Sequence, residues 1–336
     1  MTSHTIQHRE TVRPRGGSAG PQRARRQPRG GSLRRRETRA AAVLLAPWAI
    51  GFALFFAYPL VSTAWFSFTH YDQINPPTWV GLRNWDYVFQ LDDFWTSLRN
   101  TVWLVVVMVS LRVVSGLGLG VLVTNIRRGA SPLRTVLYLP YLAPPVAATI
   151  AFAFLLNPGT GPVNQVLGRL GLPTPDWFND PAWSKPALTL LALWGVGDLM
   201  VIFMAALLDV PTEQYEAAQL DGCGRWQAFR YVTIPHLRPV IIFSAITGVI
   251  ATLQYYTQAV VVAQVASGRA DQPGAPFDAG YPQGSTLTLP QLVYSLGFQH
   301  FDTGSACVVS LVLFVLAMAA TSLLLRRGSG FIGEDD

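Results

Sequence analysis

An all-α, polytopic membrane protein is the fold class this sequence predicts, and three observations carry the prediction. Half of the 336 residues are hydrophobic. Only 13% are Asp, Glu, Lys or Arg, against roughly 25% in soluble domains. The apolar residues arrive in blocks longer than the about 20 residues a helix needs to cross a hydrocarbon core about 30 Å thick. Strands of a membrane barrel would be much shorter and would alternate, so that architecture is excluded. Two globular domains, the expectation for a soluble chain of this length, give way to the blocks.

Residues 1–40 hold eleven Arg and two Glu, a net +9 in a chain whose total is +6, so the remainder carries −3. The stretch is rich in Gly, Pro, Gln and Ser and nearly free of apolar side chains. Without apolar surface to bury, it cannot offset the entropy of folding, and a disordered basic tail is expected. A basic arm could bind nucleic-acid phosphate. The plainer reading is a cytoplasmic anchor beside the first membrane helix, with no nucleic-acid partner. The apolar block that follows is longer than the about 7–15 residues of a cleaved secretory signal.

Six spanning helices are expected at about 43–66, 97–124, 134–156, 186–208, 238–265 and 304–325, within a membrane domain of residues 41–327 that ends in a short cytoplasmic tail, 328–336. The third contains Pro140, Pro144 and Pro145, so it bends or unwinds, which is tolerated only beside protein or a cavity. Nineteen Lys and Arg fall on one side of the bundle and five on the other, with Arg112 inside the second span. The positive-inside rule then makes both termini cytoplasmic in a multi-pass protein of the inner (plasma) membrane. The outer connections 67–96, 157–185 and 266–288 are too small to be separate enzymatic domains, and 289–300 reads as a short surface helix. Cys223 and Cys307 are the only cysteines. One falls in a cytoplasmic loop and the other in a span, so neither a disulfide nor a metal site is expected of them.

Between the fourth and fifth spans lies VPTEQYEAAQLDGCGRWQAFRYVTIPHLRP, residues 210–239. Pro211 suits a first helical turn, and Glu213 and Glu216 favour its N-terminal end. Tyr215 and Ala218 follow at helical spacing, and the small Ala217 and Ala218 allow close approach by a partner. Gly222 and Gly224, just past Asp221, break the helix. A second short helix, about 225–233, is expected to end before Pro235. No GxxxxGK[ST] phosphate loop, Ser/His/Asp arrangement or metal cluster occurs, and His236 reads as structural.

This loop resembles the cytoplasmic loop of permeases of bacterial ATP-binding-cassette importers, whose form is EAA, three residues, G, nine residues, I, one residue, LP. Glu216, Ala217 and Ala218 match its opening, and Gly222 falls at the required step. Ile234 and Pro235 stand in for its end after an eleven-residue interval. AYPL at 57–60, GLRNWDYVF at 81–89, RNT at 99–101, YLPYLAPP at 138–145, GTGPVNQVL at 159–167 and TLTLPQLVYSLGFQHFDTGSA at 286–306 are similar to the sugar permeases of the maltose/glycerol-phosphate type. The resemblance implies a non-catalytic permease with a coupling helix in the loop 209–239. Its implied partners are a second homologous permease, two ATPase subunits that bind ATP and Mg, an extracytoplasmic solute-binding protein and a carbohydrate. Glycerol phosphate or another small solute is the alternative cargo. A secondary transporter would show paired broken helices in two repeated halves, and a channel a filter or pore ring; neither accounts for the ordered loop. Cys223 stands where the sugar permeases usually have Ala, and Asp198 where they have an uncharged residue.

Candidate substrate contacts are Trp194, Gln254, Tyr255, Tyr256 and Gln258. Aromatic faces and amides hold sugar rings, and the same residues also serve helix packing. Arg112 and Asp198 are the deepest formal charges, at similar depths on helices running in the same direction. They pair, directly or through water, or stand separately on a water-filled path, or pack otherwise, as by Arg112 capping carbonyls at a helix break, since facing lipid would cost each about 2.5–3.5 kcal/mol.

Overall fold

The computed structural model describes residues 30–126, 129–268 and 279–329. Most of the expected basic tail, Arg127 and Arg128, and most of the short C-terminal tail lie outside the described residues. The chain divides into two units, Met1–Tyr58 and Pro59–Asp336.

In the first unit, helix α1 (Gly30–Phe52) already includes residues 30–40, which composition assigned to the disordered tail. Leu, Arg, Glu and Ala in this stretch favour helix, and extending an existing helix costs far less than nucleating one. Trp48 and Phe52 of this helix and Phe56 of the π turn that follows it (Ala53–Ala57) stack in a row, with ring centroids 5.6 and 6.0 Å apart. Val43, Leu44, Trp48, Phe55 and Phe56 are all exposed, an apolar surface suited to lipid.

In the second unit, α2 (Tyr58–Phe66) leads to a small hairpin, β1 (Thr69–His70) against β2 (Thr78–Trp79), with Thr69 opposite Trp79. Asp72 shapes its tip by accepting hydrogen bonds from the Asn75 and Ile74 amides and the Asn75 side chain at 2.6–3.0 Å. These bonds, the Asn75 amide foremost, hold its carboxyl down to about 2. After α3 (Arg83–Gln90) comes α4 (Asp92–Asn125), the 34-residue helix on which the bundle is built. Helices α5 (Ala130–Tyr138) and α6 (Pro145–Leu155) are separated by a 3-10 turn and bent by 99°. The prolines expected to bend the third span sit at this break. The short α7 (Pro162–Arg169) precedes α8 (Pro181–Trp194) and α9 (Gly197–Leu208), which meet at 50°.

Next come α10 (Thr212–Leu220), α11 (Arg225–Ala228), α12 (Ile234–Leu253), α13 (Thr257–Ala266), α14 (Leu289–Tyr294) and α15 (Thr303–Ser329). Among the described residues four helices are long and apolar enough to cross a membrane, or up to six if each bent pair is one span.

At the bend of the fourth span the chain passes close to α5: a Cβ on Gly197 would lie 2.7 Å from Tyr138 Cα, an approach that glycine permits. Two expectations are corrected. The fifth span does not run 238–265. Its helix covers Arg225–Leu253 and stops at Gln254, and α13 is a separate ten-residue helix. The short helix at 225–233 does not end before Pro235 either. A π turn at Phe229–Thr233, in which the Ile234 amide reaches back to the Phe229 carbonyl, joins α11 to α12. That wider turn relocates the hydrogen bonds a proline would otherwise break.

The tightest packing is α4 on α9. A Cβ on Gly116 would lie 2.6 Å from Leu199 Cβ, and one on Gly120 3.1 Å from Phe203 Cβ, whereas one on Gly118 meets nothing within 4 Å. Gly116→Val is therefore expected to cost about 1–3 kcal/mol by overpacking. The readout is a lower yield of monodisperse protein in detergent. Gly118→Val should leave that yield unchanged, and equal yields from the two variants would refute this packing.

Candidate functional site

Three helix breaks converge on one cavity of about 400 Å³. The α5–α6 break contributes Pro140, Tyr141 and Pro145, the α8–α9 break Trp194 and Gly195, and the α12–α13 break Gln254, Tyr255 and Gln258. Broken backbone at membrane depth needs protein or water beside it rather than lipid, so the breaks and the cavity explain each other. A second space of about 170 Å³ is lined by Val109, Asp198, Ser244 and Thr247, and Arg112 lines both.

Arg112 and Asp198 are paired. One guanidinium nitrogen, Nη2, donates to both carboxylate oxygens at 3.1 Å. The side chains are 19% and 24% exposed, so the pair faces the cavities and is only partly shielded. Of the arrangements the sequence allowed, the ion pair is the one formed. Near it the Arg112 Nε, the Ser244 hydroxyl and the Tyr255 hydroxyl are buried with no hydrogen-bond partner.

The other expected contacts divide. Trp194 packs on Phe152 with ring centroids 5.4 Å apart and keeps an open face. Tyr256 does not line either cavity; its ring meets Tyr294 at 5.6 Å. Sequence reading missed Tyr141 and Thr149, which belong to the proline-rich stretch whose bend was foreseen. It also missed a polar seam built on α4 and α8. The Asn100 side chain donates to the Gly284 and Leu287 carbonyls, Lys185 Nζ donates to Asn100 Oδ1 at 3.0 Å, and the Ser184 and Ser285 hydroxyls lie 2.7 Å apart. Thr101 accepts from the Leu289 amide, and Thr288 donates to the Tyr255 carbonyl at 3.2 Å. Segment 280–289 is thereby sewn to α4, to α8 and to the break after α12. The signal available was the RNT at 99–101, noted for its resemblance rather than its bonding.

The loop after α9 is ordered. Pro211 caps α10 in an extended conformation, and Gly222 takes the left-handed φ of +80° that closes its far end. The Asp221 and Cys223 amides donate to the Ala217 and Ala218 carbonyls, and the Gly224 amide to Gln227 Oε1. Ala218 is buried, and Tyr215 Oη lies 2.7 Å from Thr233 Oγ1 in the π turn. Glu213, Glu216, Ala217 and Leu220 are exposed. Their spacing puts them on a single helix face.

Cys223 and Cys307 are both free. Among the described residues no cluster of His, Cys, Asp and Glu is placed to hold a metal ion.

Known proteins agree with this architecture. The diacetylchitobiose uptake system permease protein of Streptomyces coelicolor is 32% identical over 326 residues, 90% of this chain and 88% of that protein. The sulfoquinovosyl glycerol transport system permease protein of Agrobacterium fabrum is 31% identical over 290 residues, 85% and 89% of the two chains. A chain from the crystal structure of a bacterial ABC transporter involved in the import of the acidic polysaccharide alginate has the same fold. Its TM-score is 0.73 at 21% identity, covering 90% of this chain and 99% of that one. Residues 116–327 match the family described as binding-protein-dependent transport system inner membrane component. The chain belongs to that family.

Proposed function

We propose that the chain is the membrane-spanning permease subunit of an ATP-driven, binding-protein-dependent carbohydrate importer. The observation that carries this reading is the convergence of three helix breaks, with Trp194, Tyr141, Gln254 and Gln258, on one cavity. Aromatic faces and amides suit a polyhydroxylated ring. Relatives at 31% and 32% identity named for a glycoside and an amino-sugar disaccharide support the same cargo class.

In this reading the bent pairs each count as one span, giving six, with both termini cytoplasmic. A second permease chain completes the path, and a solute-binding protein delivers the sugar from outside. Helix α10 is the coupling helix. Its exposed Glu213, Glu216 and Ala217 meet one of two partner ATPases, which bind ATP and Mg. Tyr215, Ala218, Asp221, Gly222 and Gly224 hold its shape. ATP-driven closure of the ATPases moves α10 and opens the cavity outward, and hydrolysis resets it. Both ATP and the loaded binding protein must bind one state better than the other for this to work.

Deleting the gene is expected to abolish uptake of a carbohydrate and to spare uptake of other nutrients, measured with a panel of radiolabelled solutes. Loss of glycerol phosphate, amino-acid or peptide uptake in its place would overturn the carbohydrate reading.

A further inference from the structure

Arg112 and Asp198 are the charged residues that line the two cavities, and they engage each other. The other polar side chains around the larger space are neutral: the Gln254 and Gln258 amides, the Thr149 and Thr252 hydroxyls, the Tyr141 and Tyr255 phenols and the Trp194 indole. Tyr255 is 8% exposed, and its hydroxyl has no partner; nor does Arg112 Nε. A buried polar atom left unpaired is costly, and a ligand hydroxyl would satisfy either atom.

We infer that the Arg112–Asp198 pair is a charge filter, which makes the path electrically neutral and selects uncharged sugars over sugars bearing a carboxylate or phosphate. The inference rests on the carbohydrate reading above. An anionic sugar that reached Arg112 would have to displace Asp198, leaving a partly shielded carboxylate without its counter-charge, or lie beside it and be repelled. A neutral sugar meets neither obstacle. It accepts from the Tyr255 hydroxyl and stacks on Trp194 while the ion pair stays intact.

The test uses the whole transporter, captured from its native membrane through a tag on this chain, freed of binding protein and placed in nanodiscs. The probes are maltose, cellobiose and trehalose, each beside its uronic-acid counterpart, and the readout is equilibrium binding. Wild type is expected to bind a neutral sugar at least about tenfold more tightly than its acid. Asp198→Asn frees the guanidinium and should shift that ratio about tenfold or more toward the acid; Arg112→Gln leaves a lone carboxylate and should shift it the opposite way. A purely structural pair would lower the yield of both variants and leave the ratio untouched. Wild type binding acids as tightly as neutral sugars overturns the filter, as does an assembled variant that keeps the wild-type ratio. The wild-type comparison decides the matter even where a variant fails to assemble. If wild type binds no probe of either kind, the carbohydrate reading fails and the filter with it.

Discussion

Gly222→Pro is expected to leave the protein inserted in the membrane at normal abundance and to abolish both uptake and stimulation of the partner ATPases. Gly222 holds a φ of +80°, and its amide donates to the Gln219 carbonyl at 3.0 Å. Proline is locked near −65° and has no amide hydrogen, so both features are lost at about 3 kcal/mol or more. That penalty corresponds to a fall of more than about a hundredfold in the fraction of correctly turned loop. The turn sits outside the packed bundle: a Cβ on Gly222 meets nothing within 4 Å. Insertion should therefore be spared. Gly222→Asn, whose side chain tolerates the left-handed region, should keep most of the activity. Glu216→Ala removes an exposed charge and should weaken stimulation without changing abundance. Normal ATPase stimulation and uptake in Gly222→Pro would refute the assignment of this loop to coupling.

Breaking the ion pair is the second large effect. Arg112→Met leaves the Asp198 carboxylate alone, and Asp198→Asn leaves the guanidinium alone. Removing one partner of a buried pair costs about 3–5 kcal/mol, an upper bound here because the side chains are 19% and 24% exposed. Either change should reduce the yield of folded protein several-fold. The double change removes both charges and should restore most of the yield, with an interaction energy of about 1–3 kcal/mol in the cycle. Strictly additive losses would mean that the 3.1 Å contact contributes nothing to stability.

What could be read from the sequence divides along physical lines. Proline announces itself: Pro140, Pro144 and Pro145 cannot donate amide hydrogens, and the 99° bend lies where they stand. Glycine does too, and Gly222 closes the loop that its spacing implied. The shared depth of Arg112 and Asp198 followed from helical rise alone, although depth could not choose between pairing and separate placement.

The break at Gln254–Tyr256 carries neither Gly nor Pro. The Tyr255 carbonyl is met there by a tertiary bond from Thr288 Oγ1, and no local pattern encodes that. The opposite error occurred at Pro235, where a proline read as a stop is absorbed by a π turn. Tyr256 was chosen for its type and its neighbours, but the break rotates it away from the cavity toward Tyr294. Periodicity describes unbroken helices, so it fails first where the breaks create the site.

The uninterrupted helix Arg225–Leu253 makes the α10 loop and the cavity two ends of one rod. At helical rise its 29 residues span roughly 43 Å. Its first end is tied to α10 by the Tyr215–Thr233 hydroxyl contact, and its far end passes directly into Gln254 and Tyr255. Pivoting a rod of that length by about 5° sweeps the far tip through roughly 4 Å, comparable to the about 5.4 Å pitch of a helical turn. In the proposed reading, a small rotation imposed by the partner ATPases on the nine-residue α10 would thus be geared up, without any relay of side-chain rearrangements, into a displacement large enough to open or shut the cavity mouth. Had the chain ended its helix before Pro235, the rod would have been jointed at the membrane surface and the gearing lost.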